Sequence, residues 1–242
     1  MVVDHIIAGG CSFSAHGLGG IPPNPNQPTG GCSYVDQGNG TGMEPNTWVG
    51  YLAQQFQVQS LANTATGGHG IILLANSILQ VLSKFDYNLD RTLVVFNISD
   101  PARLDIPCGF DHANRSHQVT WNNNILTHTY LDRESSLFHN IAKNIGIDQI
   151  EVMTATALEF LFNFLENNNV KYCFMTMRDY RNSSIGPILA KQQHHQVTFD
   201  NEPGMYEFCQ QRNLIGPDRS HPSRLGHELM SQYVYQWINQ NL

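Results

Sequence analysis

A serine follows a short apolar run near the start of the chain. Residues 5–8 form this run, Gly9 and Gly10 interrupt it, and Cys11 and Ser12 come next. A strand that ends in glycines and leads into a tight turn can expose a serine hydroxyl at the edge of a sheet, beside backbone N–H groups. Ser12 is therefore the candidate nucleophile. Cys11 is the alternative, but neighbouring side chains diverge, and a cysteine at a strand end is typically a small buried hydrophobe.

A base and a carboxylate lie close together near the other end of the chain. In the stretch GPDRSHPSRLGH, Asp218 and His221 are three residues apart, and Pro222 suits the first position of a helix. A carboxylate at this spacing can fix the imidazole tautomer, which leaves the second nitrogen to take the proton of a serine. We interpret His221 as the general base and Asp218 as the residue that orients it. His227 is expected to pack or cap the helix.

Strands and helices alternate along the chain, as in a parallel sheet with helices on both faces. Short apolar runs bounded by turn residues predict strands over Val3–Ala8, Val58–Ala62, Thr92–Ile98 and Val170–Met175. Helical periodicity predicts helices over Thr47–Phe56, Ile71–Phe85, Asp148–Glu166 and about Pro222–Ile238. We expect one domain over residues 1–242, a three-layer α/β/α arrangement around a central parallel sheet.

Three long segments lie outside this alternation, at about 17–46, 100–130 and 178–205. The first is rich in Gly, Pro and Asn, and we expect all three to be loops. Each follows a predicted strand, so in a parallel sheet all three emerge at the carboxyl edge, where open α/β sheets place their ligands. Ser12 is predicted to lie at the same edge.

The charge of the chain excludes two classes of partner. The formal net charge is −7 and no run of Lys or Arg occurs, so we expect neither nucleic acid nor a membrane surface as a partner. No apolar run approaches the roughly 18 residues of a membrane span, and a basic region followed by an apolar segment is missing at the N-terminus. We expect a cytoplasmic protein.

Cysteine and histidine spacing predicts no bound metal. The five cysteines are widely spaced without a C-x-x-C pair, which favours a reducing compartment over a disulfide framework or a zinc knuckle. His194 and His195 are adjacent, so their side chains are expected to point in different directions, and H-E-x-x-H is absent. We expect no metal and no cofactor.

Three motifs in the chain resemble the blocks of the SGNH, or GDSL-like, hydrolases. GGCSFS resembles the first block with Ser12 as nucleophile, LANTATGGHG resembles the second with its glycine at Gly67 or Gly68, and DRSHPSRLGH matches the D-x-x-H of the last. The resemblance implies a flavodoxin-like sheet and ester hydrolysis through an acyl-serine intermediate. It also implies an oxyanion hole that includes the backbone N–H groups of Ser12 and of the second-block glycine.

The third block departs from the pattern of this family. In place of G-x-N-D the chain reads NISD, residues 97–100, so the family's oxyanion asparagine falls on Ser99. Asn97, two residues earlier, would project to the same side of an extended segment as Ser99. Alignment with the family favours Ser99 as the oxyanion donor. The side-chain amide of Asn97 has two N–H donors, which favours Asn97, and we lean towards Asn97. The first block also carries Cys11 in place of the usual aspartate.

The motifs and the polar loops together predict a serine-dependent ester hydrolase. Long polar segments without a wide apolar surface indicate a short acyl group on a polar carrier such as a carbohydrate. Two alternatives remain: the fold could serve as a catalytically inactive binding or structural module, or the same residues could pass the acyl group to an acceptor other than water.

Overall fold

A computed structural model describes residues 2–15, 33–34, 47–65, 70–84, 87–107, 116–122, 125–128, 144–200 and 202–242. The strands are β1 (His5–Gly9), β2 (Ser33–Tyr34), β3 (Ser60–Asn63), β4 (Thr92–Ile98), β5 (Arg103–Pro107), β6 (Ser116–Asn122), β7 (Ile125–His128) and β8 (Lys171–Thr176). The helices are α1 (Ser12–Ala15), α2 (Trp48–Phe56), α3 (Ile71–Lys84), α4 (Ile147–Asn167), α5 (Gly186–Lys191), α6 (Met205–Gln211) and α7 (Arg224–Asn241). In these ranges no helix has the length and apolar character needed to cross a membrane.

The main sheet has the strand order β2-β3-β1-β4-β8. Strands β3, β1, β4 and β8 are parallel, and the short β2 pairs antiparallel with β3 at the edge. In chain order the parallel strands therefore run second, first, third, fourth, which is the flavodoxin-like arrangement. The expected fold class, α/β with a central parallel sheet, is confirmed.

Helices cover both faces of this sheet. Helix α2 packs against α7, whereas α3 packs against α4 and β1. Right-handed crossovers place α2 on one face and α3 and α4 on the other. The reason is that the chain moves in one direction across the sheet from β1 to β3, and in the opposite direction from β3 to β4 and β8. Helix α2 begins where the Thr47 side chain accepts a hydrogen bond from the N–H of Gly50, which satisfies one of the unpaired donors of the first turn.

Strand β4 lies in the middle of the core, and all seven of its residues are buried. Its apolar run is typical of a parallel strand covered on both faces. The Phe96 ring lies 6.0 Å from the ring of Phe162 in α4 and 5.9 Å from that of Phe174 in β8. This aromatic cluster joins the centre of the sheet to one helical layer.

The predicted boundaries agree with the structure to within three residues. Thr92–Ile98 has the predicted ends, and Ile71–Lys84 has the predicted start, while its predicted end, Phe85, lies outside the described residues. The last helix begins at Arg224 rather than Pro222, because Ser223 is its N-cap and accepts a hydrogen bond from the N–H of Gly226. Pro222 therefore precedes the cap instead of opening the helix. Caps and strand ends are where such boundaries normally shift.

All three expected loops contain regular structure, of which the short β2 is the part described in segment 17–46. In segment 100–130, β5, β6 and β7 form an antiparallel three-stranded sheet. Alternation of apolar and polar residues, as in Arg103-Leu104-Asp105-Ile106, is the signal that the polar composition hid. In segment 178–205, α5 packs against α4, the 3₁₀ turn Gln193–His195 packs against β8, and Gln196 bridges to Phe174 in β8. Most of segment 17–46 lies outside the described residues.

Candidate active site

The turn after β1 requires glycine. Gly10 has φ +141°, a region that side chains rarely adopt, and a Cβ built on it would lie 1.9 Å from Oδ1 of Asn97. The backbone at Gly10 therefore lies so close to β4 that a residue with a side chain would fit only if Asn97 or the turn moved. Helix α1 starts two residues later at Ser12, at the carboxyl edge of the sheet, as the sequence predicts. The Ser12 side chain lies outside the described part of the chain.

A buried polar network holds this turn against β4. The Asn97 Oδ1 atom accepts hydrogen bonds from the Cys11 N–H at 3.2 Å and from the Ser14 hydroxyl at 2.6 Å. The Asn97 amide nitrogen in turn donates to Cys11 Sγ at 3.2 Å, and the indole of Trp48 donates to Ser14 Oγ at 3.0 Å. All four residues are buried. Because each partner is satisfied, the network fixes the backbone from which Ser12 projects.

A second asparagine links the same helix to β3. The Asn63 amide donates to the carbonyl of Ser14 at 3.0 Å, and its Oδ1 accepts from the N–H of Ala65 at 3.1 Å. Asn63 thus fixes both the end of α1 and the chain that leads towards Gly67 and Gly68. Those two glycines lie outside the described residues, as do His16 and His69, two histidines that flank the predicted site in the sequence.

Cys11 is poorly placed to act as a nucleophile. Its side chain is fully buried, and its sulfur lies 3.8 Å from the sulfur of Met177 as well as accepting the amide of Asn97. A thiol in this position packs as a small hydrophobe. The geometry therefore argues against Cys11 as the alternative nucleophile.

Asp218 and His221 contact each other as their spacing predicts. His221 Nδ1 lies 2.5 Å from Asp218 Oδ2, and the second oxygen, Oδ1, accepts the N–H groups of His221 and Ser220, each at 3.1 Å. The Ser220 hydroxyl donates to Oδ2 at 3.0 Å. Arg219 adopts a left-handed conformation, φ +59°, which closes the turn between the two partners. The carboxylate is therefore held in one orientation by its own turn.

These contacts keep the Asp218 carboxyl ionised. Partial burial opposes ionisation, but the hydrogen bonds from His221 and Ser220 outweigh it and hold the pKa of Asp218 well below its usual range. With Asp218 negative, the proton of neutral His221 lies on Nδ1, and Nε2 keeps its lone pair. The imidazole is thereby prepared to accept a proton on the side away from the carboxylate.

His221 lies beside α1. Its ring centroid is 5.7 Å from that of Phe13, the residue after Ser12, and its side chain is 28% exposed. The structure thus brings the start of α1 and the Asp218–His221 pair to the same edge of the sheet, although more than 200 residues separate them in sequence.

His227 lies in the core behind this pair, in agreement with the packing role expected for it. It is fully buried, and Nδ1 accepts the backbone N–H of Trp48 at 3.3 Å. Nε2 has no hydrogen-bond partner among the described residues. Burial, with a smaller repulsion from His221, lowers the pKa of His227 to about 4, so this residue is neutral near pH 7.

The two candidates for the third oxyanion donor have different environments. Asn97, within β4, is fully buried and uses both ends of its amide to hold the turn. Ser99, one residue beyond the end of β4, is also buried, with 2% of its surface exposed. It lies at the carboxyl end of the strand, the edge at which open α/β sheets place their ligands.

No role is predicted from the sequence for Asp105, a buried carboxylate in β5 that contacts the start of α3. Asp105 accepts the N–H groups of Gly70 at 2.8 Å and Leu73 at 3.0 Å. Burial raises the pKa of Asp105 to about 6, against the effect of these hydrogen bonds. Its two donors lie 35 and 32 residues earlier in the chain, and the alternation in β5 would place this polar side chain outwards, so no local pattern indicates that it is buried.

The expectation that His194 and His195 diverge is wrong. Their ring centroids lie 4.2 Å apart, and the His195 ring stacks on Tyr172 at 4.0 Å. The 3₁₀ turn and the stacking on β8 direct both rings to one side.

Two solved structures of esterases are similar to this chain at a low level. One is a carbohydrate esterase whose active site is described as displaying divergent catalytic and non-catalytic binding functions; it is 13% identical, with 98% of this chain and 64% of that chain covered and a TM-score of 0.46. The other is a catalytic mutant of Axe2, an acetylxylan esterase from Geobacillus stearothermophilus; it is 12% identical, with 100% and 96% covered and a TM-score of 0.46. No family model and no curated relative matches the sequence.

Proposed function

We propose that this protein is a serine-dependent ester hydrolase of the SGNH type, with Ser12 as nucleophile, His221 as base and Asp218 as its orienting carboxylate. The observation that carries the proposal is the 2.5 Å contact between His221 Nδ1 and Asp218 Oδ2, made by an imidazole that packs beside α1. A histidine oriented in this way next to a serine on a strand-to-helix turn has the parts of a catalytic triad.

The reaction follows from the protonation states. His221 Nε2 takes the hydroxyl proton as Ser12 Oγ attacks the acyl carbonyl, and Asp218 stabilises the resulting imidazolium. Collapse of the tetrahedral intermediate breaks the ester bond, and the imidazolium returns its proton to the departing alkoxide. Water then attacks the acyl-serine with the same base, which releases the acid and restores Ser12.

The oxyanion needs preorganised donors on the opposite side of the carbonyl. The backbone N–H of Ser12 and that of Gly67 or Gly68 are two such donors. For the third, we now favour Ser99 over Asn97, because the Asn97 amide already holds Cys11 and Ser14. Asn97 then acts as a positioning residue, which fixes the turn rather than touching the substrate.

The substrate that we propose is a short acyl ester on a polar carrier such as a carbohydrate. The segments that follow the strands at the carboxyl edge are rich in Gly, Asn, Gln and His and poor in long apolar runs. Such surroundings favour hydrogen bonding to a hydroxylated carrier over the binding of a long alkyl chain.

Labelling with a fluorophosphonate tests the proposal, because only a base-activated hydroxyl reacts readily with this reagent. We expect an adduct on the peptide that contains Ser12 and none with Ser12→Ala. The matched control is Ser83→Ala, which removes an exposed hydroxyl that bonds only within α3. An adduct on Cys11, or no adduct on folded wild-type protein, would overturn the serine mechanism.

Hydrolysis of p-nitrophenyl esters tests the acyl specificity. Acetate should be turned over faster than octanoate, and Ser12→Ala should abolish both activities. A preference for octanoate would contradict the proposed short acyl group. Release of p-nitrophenol that depends on an added sugar acceptor would indicate acyl transfer instead.

A further inference from the structure

A cluster of three metal-ligating side chains lies far from the candidate active site. Glu166, His194 and His195 each offer one ligand atom, and these atoms all lie within 4.8 Å of one another. We propose that these three residues bind a divalent transition-metal ion, with Zn²⁺ as the ion that suits them best. The ion would join the end of α4 to the turn that covers β8, independently of ester hydrolysis.

The donor set is one that zinc uses. Two imidazoles and one carboxylate, with a fourth position left for water, form a known tetrahedral zinc site. Bonds of about 2.0–2.2 Å require tetrahedral ligand atoms roughly 3.3 Å apart. Rotation of the exposed Glu166 and His194 side chains can close the remaining distance, since neither is packed into the core.

His195 already has the support that a metal-bound histidine normally receives. Its Nδ1 lies 3.2 Å from the backbone carbonyl of Tyr172, and its ring stacks on the Tyr172 ring. With the Nδ1 proton donated to this carbonyl, Nε2 keeps the lone pair for an ion. A second group on the ring nitrogen opposite the metal is the usual way in which proteins fix such a ligand.

The same tyrosine also contacts the carboxylate. The Tyr172 hydroxyl lies 3.3 Å from Glu166 Oε1 and 2.9 Å from Gln192 Oε1. Two of the three proposed ligands are thus positioned by one buried side chain of β8. This arrangement resembles an outer shell of a metal site more than a chance meeting of surface groups.

The electrostatics of Glu166 favour a cation. It lies in the last turn of α4, where the negative end of the helix dipole disfavours a carboxylate. Among the described residues, no Lys or Arg forms an ion pair with it, whereas the nearby Glu159 pairs with Lys191 at 3.7 Å. A bound divalent ion would offset both the carboxylate and the dipole.

The location separates this cluster from the ester site. Tyr172 pairs with Val94 near the beginning of β4, whereas Asn97 and Ser99 lie at its other end. The cluster is therefore at the amino edge of the sheet. An ion there would hold the turn at 193–195 in place. The residues after this turn run beside β8, where the Val197 N–H donates a hydrogen bond to the Phe174 carbonyl.

Titration of metal-free protein with ZnCl₂, followed by calorimetry and by thermal unfolding, tests the proposal. We expect saturable binding with a rise in Tm, because a ligand that binds only the folded state stabilises it. Glu166→Gln and His194→Ala should each weaken binding by about tenfold or more. Both positions are exposed, so the variants should fold. Glu159→Gln, on the same helix, is the matched control and should bind like wild type.

Two further readouts distinguish a built site from chance zinc binding. Tyr172→Phe keeps the ring but removes the hydroxyl, and should weaken binding by about tenfold. Co²⁺ in place of Zn²⁺ should give the visible absorption of a tetrahedral site in wild type and lose it in His194→Ala. Equal zinc affinity in wild type, Glu166→Gln and His194→Ala, or no binding by wild type, would overturn the proposal. Ester hydrolysis should not respond to the ion.

Discussion

Ser14 donates a 2.6 Å hydrogen bond to Asn97, and this contact joins the helix that Ser12 opens to strand β4. The two residues are separated by 83 positions, and both are fully buried. The backbone that carries the proposed nucleophile is thus fixed by its hydrogen bonds to Asn97 of β4. In this arrangement Asn97 fixes the backbone on both sides of Ser12 through Cys11 and Ser14.

Ser99→Ala should lower kcat by about 10²–10³ with little change in KM, because an oxyanion donor acts mainly in the transition state. Asn97→Ala should lower Tm as well as kcat, since it leaves the Cys11 N–H and the Ser14 hydroxyl without their acceptor, at a cost of about 1–3 kcal/mol each. Kinetics on one ester and thermal unfolding measure both effects. A large loss of kcat at unchanged Tm in Asn97→Ala would return the donor role to Asn97. Negligible losses in both variants would mean that this segment makes no oxyanion contact.

His221→Ala and Asp218→Asn should both reduce kcat strongly. For Asp218→Asn we expect a loss of about 10⁴-fold, because an amide at this position favours the wrong imidazole tautomer. The unfolding temperature should hardly change, since both side chains are partly exposed. Asp90→Asn, at an exposed position on the other edge of the sheet, is the control and should keep full activity. Retention of most activity in His221→Ala would require another base, with His16 and His69 the first to examine.

His227 should make the protein less stable in acid. Its pKa falls from 6.5 to about 4 on folding, so between these values the unfolded state binds more protons and stability rises with pH. Acidification from pH 7 to pH 4 should therefore cost about 3 kcal/mol through this residue. Denaturant unfolding at several pH values, compared between wild type and His227→Asn, isolates this contribution.

The comparison with His227→Asn also removes the effect of Asp105, which has the opposite sign. The pKa of that carboxyl rises from 3.8 to about 6 on folding, so it favours the folded state as the pH falls. Identical pH slopes in wild type and His227→Asn would show that His227 is not held neutral in the core.

Gly10→Ala should be far more damaging than Gly146→Ala. Both glycines have positive φ, +141° and +81°, but a Cβ at Gly10 would collide with Asn97, whereas nothing lies within 4 Å of one at Gly146. The second variant should cost about 1 kcal/mol for backbone strain alone. Gly10→Ala should lower the stability further, because the turn must also move away from Asn97, and it should lose the proposed ester hydrolysis. Equal changes in Tm would mean that the contact with Asn97 is easily relieved.

Local patterns were sufficient for the sheet and for the base of the candidate site. The apolar residues 93–96 and Ile98 predict a buried strand with the ends that the structure shows, and the spacing of Asp218 and His221 predicts their contact. Contacts between distant segments could not be obtained in this way. No local feature of Ser14 indicates that its partner is Asn97, and no feature of His194 shows that stacking on Tyr172 turns its neighbour towards it.

The carboxylate of Asp105 makes the small antiparallel sheet part of the main body of the protein. It comes from β5, yet it satisfies the first N–H groups of α3, the helix that follows directly after the segment containing Gly67 and Gly68. Removing residues 103–128 would leave those buried donors unpaired, at a cost of about 1–3 kcal/mol each. This excursion therefore cannot be trimmed to give a minimal domain without that cost, and homologues that lack it would have to supply another cap at the start of α3.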